Sequence, residues 1–316
     1  MIISLAEGVN LADAETSYVM IFPGQLSEKS GMAAQMRFHP VFRRLAPGFD
    51  QLTGGRFDRW VTEAPQEEIA ERFTAPAIMV LYDILCAEIA LYEWGPPVAV
   101  AGYSLGFYAA AVLTKCVPVA AVLTWLEKVN AHNARAFPPG EFALAAATGV
   151  TAAELKEAFA AEKLRGLKIA NVNNPRQVVF AGPASQVSAA LDTLKGRVLD
   201  ARLLPLDVPL HTSYLESACH EVETWWSAVA AGAPVFPLLS PVDGRVIGSG
   251  AAFKSEMLRS LHSATRWDLV AEAIAKLKPE RVLDLSPGGD LGRMARWTAR
   301  ELNVVPVSAL WSSPAE

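Results

Sequence analysis

The 316 residues are 52% hydrophobic and only 19% charged, enough apolar side chain for a large core, which excludes a disordered or fibrous chain. A formal net charge of −5 argues against a nucleic-acid-binding protein, because neutralising phosphates takes concentrated Lys and Arg. Three cysteines (Cys86, Cys116 and Cys219) without a C-x-x-C spacing suggest neither a disulfide framework nor a zinc site, and each reads as a buried thiol.

The opening Met1–Asn10 has no basic stretch and an early Glu7, so no secretory signal is expected. Tyr18–Phe22 reads as a buried strand ended by Pro23-Gly24. The longest apolar stretch, Ala77–Tyr92, is interrupted by Asp83 and Glu88 and is too short to span a bilayer. The expectation is a soluble, cytoplasmic monomer with no membrane or nucleic-acid partner. Val98–Ala101 is a second short buried strand, followed by a helix over Phe107–Thr114.

A Pro-rich hinge, Ala136-Phe-Pro-Pro-Gly140, divides the chain. Beyond it the pattern predicts a strand at Phe142–Thr148, a helix at Ala152–Ala161, and strands at Lys168–Val172 and Gln177–Ala181. A helix at Gln186–Lys195 and a strand at Ala201–Leu206 complete a β-α-β-β-α-β order, the ferredoxin-like unit. Helices follow at Leu215–Ala230 and Trp267–Leu277, then a strand at Val282–Leu285 and a helix from Leu291. The fold class expected is α/β: a hydrolase-like parallel-sheet body, 1–140 and 208–316, with a ferredoxin-like small domain, 141–207, inserted into it.

Gly102-Tyr-Ser104-Leu-Gly106 lies between a predicted strand and a predicted helix. In that G-x-S-x-G setting the glycines permit a tight turn that exposes the serine hydroxyl, and the helix N-terminus offers free N–H groups, Leu105 first, to a developing oxyanion. A Gly-flanked turn with a capping serine is the competing structural reading. Serine needs a neighbouring base. Of His39, His132, His211, His220 and His262, His211 ends a strand-like segment where the chain returns to the body; His220 sits in a polar helix, and His39 and His262 sit in loop-like contexts.

Five ordered motifs resemble the malonyl-CoA:acyl-carrier-protein transacylase family, which includes acyltransferase domains of polyketide synthases. They are Phe22-Pro-Gly-Gln25 with Gly31-Met32, Gly102-Tyr-Ser-Leu-Gly-Phe-Tyr-Ala-Ala110, Ala170-Asn-Val-Asn-Asn-Pro-Arg-Gln-Val178, Val208-Pro-Leu-His211 and Asp284-Leu-Ser-Pro-Gly288. The resemblance implies ping-pong acyl transfer through Ser104, with His211 as base and the amides of Gln25 and Leu105 as the oxyanion hole. It implies acyl-CoA as donor, carrier-protein phosphopantetheine as acceptor, and no bound cofactor or metal. It also implies that a backbone carbonyl from Ser260–His262 orients the histidine, in place of an acidic third member.

Malonyl-transferring members hold the free carboxylate with an arginine, whose guanidinium donates two parallel bonds. Counted without gaps, that position, 25 residues beyond Ser104, is Val129. Lys128 points about 100° away around the helix, while His132 and Asn133 share the Val129 face. Burying an unpaired carboxylate costs roughly a thousandfold in binding. Ala75, Leu26, Tyr103, Phe107 and Leu210 also depart from the family pattern. With Asn173, the residues Ala75, Tyr103, Val129, Asn133 and Leu210 form the expected substrate pocket, more apolar than a malonyl site. The expected cargo is a non-carboxylated acyl group, such as a medium or branched chain. Arg293, Arg296 and Arg300 recur at helical spacing as a candidate stripe for the acidic carrier protein, a solvated helix face being the alternative. Malonyl transfer despite Val129, acyl hydrolysis by the same serine and histidine, and a non-catalytic scaffolding role remain the competing readings.

Overall fold

The polypeptide builds two sheets, and the edge of the larger one positions everything that follows. The computed structural model describes residues 17–69 and 75–311; the expectation placed on Met1–Asn10 lies outside them.

The larger sheet runs β11 (Val304–Pro306), β10 (Arg281–Asp284), β1 (Tyr18–Phe22), β2 (Ala99–Gly102), β7 (Leu238–Leu239) and β8 (Val246–Ile247). All neighbours are parallel except the β7–β8 pair. Every residue of β1 is fully buried, which is what a parallel strand covered on both faces requires. Tyr18, Met20 and Phe22 point into one apolar core, while Val19 and Ile21 point into a second.

The smaller sheet has the order β6 (Asp200–Leu203), β3 (Phe142–Thr148), β5 (Gln177–Pro183), β4 (Lys168–Asn174) and β9 (Thr265–Arg266). Its first four strands are antiparallel neighbours in the ferredoxin-like order. The fifth, β9, comes from much later in the chain and pairs parallel with β4 through Asn171–Thr265 and Val172–Arg266. The strand expected at Ala201–Leu206 stops at Leu203, ahead of Pro205, which has no N–H to give a ladder.

The helices before the first sheet crossing are α1 (Pro40–Leu52), α2 (Phe57–Thr62), α3 (Gln66–Ile69) and α4 (Ala75–Trp94). Next come α5 (Gly106–Leu113) and α6 (Val119–Ala136), then α7 (Ala152–Ala161) and α8 (Ala184–Leu194) on the small sheet. The remainder are α9 (Glu216–Ala228), α10 (Gly250–His262), α11 (Trp267–Leu277) and α12 (Asp290–Arg296). The body is thus α/β and hydrolase-like, with a ferredoxin-like unit beside it.

Three local expectations need correction. α4 is 20 residues long, so among the described residues it is long and apolar enough to cross a membrane; 83% of its apolar window is instead buried within the protein. His262 is the last residue of α10, a helix started by the Ser249 hydroxyl accepting from the Ala252 amide, and not a loop residue. Cys219 is only half-buried, whereas Cys86 and Cys116 are buried.

Candidate active site

The segments that leave the carboxyl ends of β1, β2 and β10 carry Gln25, Ser104 and the Pro287-Gly289 turn, so the candidate residues gather at one edge of the large sheet. At the end of β2 the chain reverses so tightly that a Cβ on Gly102 would lie 2.2 Å from the Phe107 nitrogen. A Cβ on Gly106 would lie 2.3 Å from the Phe22 carbonyl oxygen and 2.5 Å from that of Pro23. Only glycine fits either position. Between them Ser104 is held at φ 52°, a conformation that L residues rarely adopt and that costs about 1–3 kcal/mol.

The strained turn presents the Ser104 hydroxyl to His211, Oγ to Nε2 at 2.6 Å. His211 is also at positive φ, 57°, and its amide donates to the Leu261 carbonyl at 3.1 Å. Its Nδ1 lies 2.8 Å from the Ser260 carbonyl oxygen. A carbonyl only accepts, so Nδ1 carries a proton, and in the neutral ring Nε2 is left free to accept from the hydroxyl. Burial depresses the His211 pKa below the ordinary 6.5, and the Ser260 carbonyl opposes that more weakly. The imidazole is therefore neutral and basic where it meets the serine.

The β1 and β2 turns press together: a Cβ on Gly24 would meet the Tyr103 ring at 2.9 Å and its carbonyl oxygen at 3.1 Å. Gln25 and Leu105 follow directly on these two contacts. Neither backbone N–H donates to another group among the described residues, so both are available to an anion. Next to Gln25, Leu26 occupies the left-handed region at φ 67°, the place where the related pattern has glycine.

A cavity of about 440 Å³ opens from Gln25. Ala75, Asn133 and Leu210 line it, as do Glu28, Asn130 and the Leu204–Val208 segment. Its described lining holds two carboxylates, Glu28 and Asp207, and no Lys, Arg or His. Glu28 is 8% exposed, and burial pushes its carboxyl above the ordinary 4.5 against the weaker pull of the backbone amides of residues 26–28.

The other expected pocket residues lie elsewhere. Val129 is packed in the core between α6 and its neighbours and does not line this cavity. His132 is committed to α9, with Nδ1 2.6 Å from Glu221 and Nε2 3.1 Å from Ser217, so it turns away from the cavity. Lys128 lies over the Trp225 ring, also on α9. Tyr103 donates its hydroxyl to Asn173 Oδ1 at 2.8 Å and stacks edge-on against Trp267, a tie from the body to β4 instead of a pocket wall. Phe107, another departure from the family pattern, is fully buried against Phe253.

The three arginines do not form one stripe. α12 ends at Arg296, so Arg300 falls in the following turn, while Arg293 is paired with Asp290 and donates to the Gly288 carbonyl. Arg293 and Arg296 face a separate cleft of about 670 Å³ together with Lys29. Glu28 and the 204–208 wall were missed in the sequence. The available signal was the acid itself, three residues beyond Gln25 in the Phe22–Met32 motif.

The family model described as the acyl transferase domain matches residues 19–310. The malonyl CoA-acyl carrier protein transacylase of Escherichia coli K12 is 28% identical over 308 residues, 93% of this chain and 96% of that protein. The polyketide biosynthesis protein ThaF of Burkholderia thailandensis is 28% identical over 296 residues, 92% of this chain but 24% of that protein. Among solved structures, the malonyl CoA-acyl carrier protein transacylase of Coxiella burnetii has a TM-score of 0.86 at 22% identity, covering 94% of this chain and 96% of its own. A chain from the complex of a type II PKS acyl-carrier protein with its malonyl-transacylase has a TM-score of 0.87 at 23% identity, covering 94% and 100%. The likeness to these structures is one of fold.

Proposed function

Starting from the chain's membership of the acyl transferase domain family, we propose that it moves an acyl group from coenzyme A to an acyl carrier protein through an ester on Ser104. The observation that carries this is the line from the Ser260 carbonyl through His211 to Ser104, 2.8 Å and then 2.6 Å. His211 Nε2 removes the hydroxyl proton as Ser104 Oγ attacks the thioester carbonyl. The amides of Gln25 and Leu105 hold the oxyanion, the C–S bond breaks, and the departing thiolate takes the proton from His211. The phosphopantetheine thiol then gives His211 its proton, attacks the ester, and releases Ser104 with its hydroxyl restored.

The cargo on this reading lacks a free carboxylate. What supports that is Val129 where an arginine would stand, together with the 440 Å³ cavity, whose described lining includes the buried Glu28 and no Lys, Arg or His. Malonyl transfer is the second reading, favoured by the names of the relatives at 27–28% identity. We further take 1–140 with 208–316 as the catalytic body, 141–207 as the inserted domain, and Arg293 and Arg296 beside Lys29 as the docking surface for an acidic carrier, with Arg300 outside it.

Intact-protein mass spectrometry after exposure to a panel of acyl-CoA thioesters, with and without carrier protein, tests the proposal. The expected result is an adduct at Ser104 from non-carboxylated donors that passes to the carrier. Rapid loss to free acid would mean hydrolysis, exclusive labelling by malonyl-CoA would overturn the cargo assignment, and no adduct from any donor would overturn the activity.

A further inference from the structure

Ser104 is held at positive φ, and such a conformation persists only where its surroundings over-determine it. The residue before it, Tyr103, supplies much of that constraint. Its amide donates to the Phe22 carbonyl at the end of β1, 2.9 Å away, and its own carbonyl accepts from the Gly106 amide at 3.0 Å. Its ring covers Gly24, the residue before Gln25, so closely that a Cβ there would lie 2.9 Å from it. Its hydroxyl reaches across to the small sheet and donates to Asn173 Oδ1 on β4 at 2.8 Å. Asn173 Nδ2 donates in turn to Gln177 Oε1 at 3.1 Å, which fixes the amide atom that faces the phenol. Burial pushes the phenol above its ordinary 10, so it stays a donor at neutrality.

The same strand also reaches His211. Tyr103 stacks edge-on against Trp267, which opens α11 directly after β9. β9 pairs with β4 through Asn171–Thr265 and Val172–Arg266. α10, just before β9, supplies the Ser260 and Leu261 carbonyls that hold His211. β4 thus anchors both halves of the couple, Ser104 through Tyr103 and His211 through β9 and the end of α10.

We propose that Tyr103 is a positioning residue for acyl transfer, its bond to Asn173 setting Ser104 Oγ against His211 Nε2 and the Gln25 turn against the Leu105 turn. The inference rests on the acyl-transfer reading above and adds a residue that acts through Ser104. Without the hydroxyl, Asn173 Oδ1, in a residue only 5% exposed, loses its donor, and the strained turn loses its tie to β4. A displacement of about 1 Å between reacting groups costs on the order of a hundredfold in rate.

The test measures Ser104 acylation per folded molecule, using whichever of acetyl-, butanoyl- and malonyl-CoA labels the parent fastest. In Tyr103→Phe the rate at saturating donor is expected to fall about tenfold to a hundredfold, while the donor concentration for half-maximal rate moves by less than about threefold. Asn173→Leu, which removes the acceptor, is expected to fall likewise, and Asn173→Asp, which keeps one, to stay closer to the parent. Combining Tyr103→Phe with Asn173→Leu should cost little more than either alone, since both break one bond. If Tyr103→Phe gives no cooperative melt, the two Asn173 variants carry the comparison from the other side. A folded Tyr103→Phe acylated at the parent's rate, Asn173→Leu no slower than Asn173→Asp, or multiplicative losses in the double variant would overturn this inference while leaving acyl transfer intact. No Ser104 adduct in the parent from any donor would instead overturn the underlying reading.

Discussion

At the residue scale, the site turns on how His211 is kept neutral. Burial disfavours the charged ring, and the backbone carbonyl that accepts from Nδ1 favours it more weakly than a carboxylate would, too weakly to offset the burial. Protonation therefore requires a pH below the ordinary 6.5. The rate of Ser104 acylation should hold constant from neutrality downwards and fall only below pH 6.5, as read by adduct formation in a stopped assay. His211→Gln should lose about 10²–10⁴ of that rate and its acidic limb together. An acidic limb centred above 6.5 would mean that the ring is stabilised as a cation by something other than its described neighbours.

Among the elements, the β2–α5 turn is the most exacting. Its two glycines are set by contacts of 2.2–2.3 Å that no side chain satisfies, and one of them touches the backbone of β1. Gly106→Ala would press a methyl group on the Phe22 and Pro23 carbonyls and displace the segment that carries Gln25. Overpacking of this kind costs about 1–3 kcal/mol. Chemical denaturation should show that loss, and acylation should fall by more than the unfolded fraction explains, because the two proposed oxyanion donors separate. The turn was legible in the sequence because its residues are consecutive. The α7 start was legible for the same reason, Thr151 and Glu154 closing a reciprocal cap. The two-residue strands β7, β8 and β9 were not, since two residues carry no period. Nor was the cavity, whose walls come from residues 25–28, 75–76, 130–133 and 204–210 and meet only through the topology.

Across the whole molecule, stability carries an unusual acid. Asp83, on α4 in the middle of the core, is fully buried, and neither carboxylate oxygen is hydrogen-bonded among the described residues. Desolvation, with the charge of Asp284 adding to it, raises its pKa well above the ordinary 3.8. The folded state thus binds a proton that the unfolded state gives up. The group's contribution is complete below about pH 4 and is lost as pH rises, by up to about 1.4 kcal/mol per pH unit until the folded pKa is reached. Asp284, raised in the same direction, adds to the slope. Denaturation of Asp83→Asn across pH 4–7 should show a shallower decline than the parent and greater stability at pH 7. An identical slope would place the charge elsewhere.

The pairing of β4 with β9 has a consequence for anyone who would transplant the small sheet. Its fifth strand is supplied by Thr265 and Arg266, separated along the chain from the other four by α9 and α10. A segment excised at 141 and 207 leaves Asn171 and Val172 with a bare rim of backbone donors and acceptors, a template for another copy. The ferredoxin-like unit is therefore not a portable cassette. It is finished by its host, which means that exchanging specificity between relatives requires cutting on both sides of Arg266.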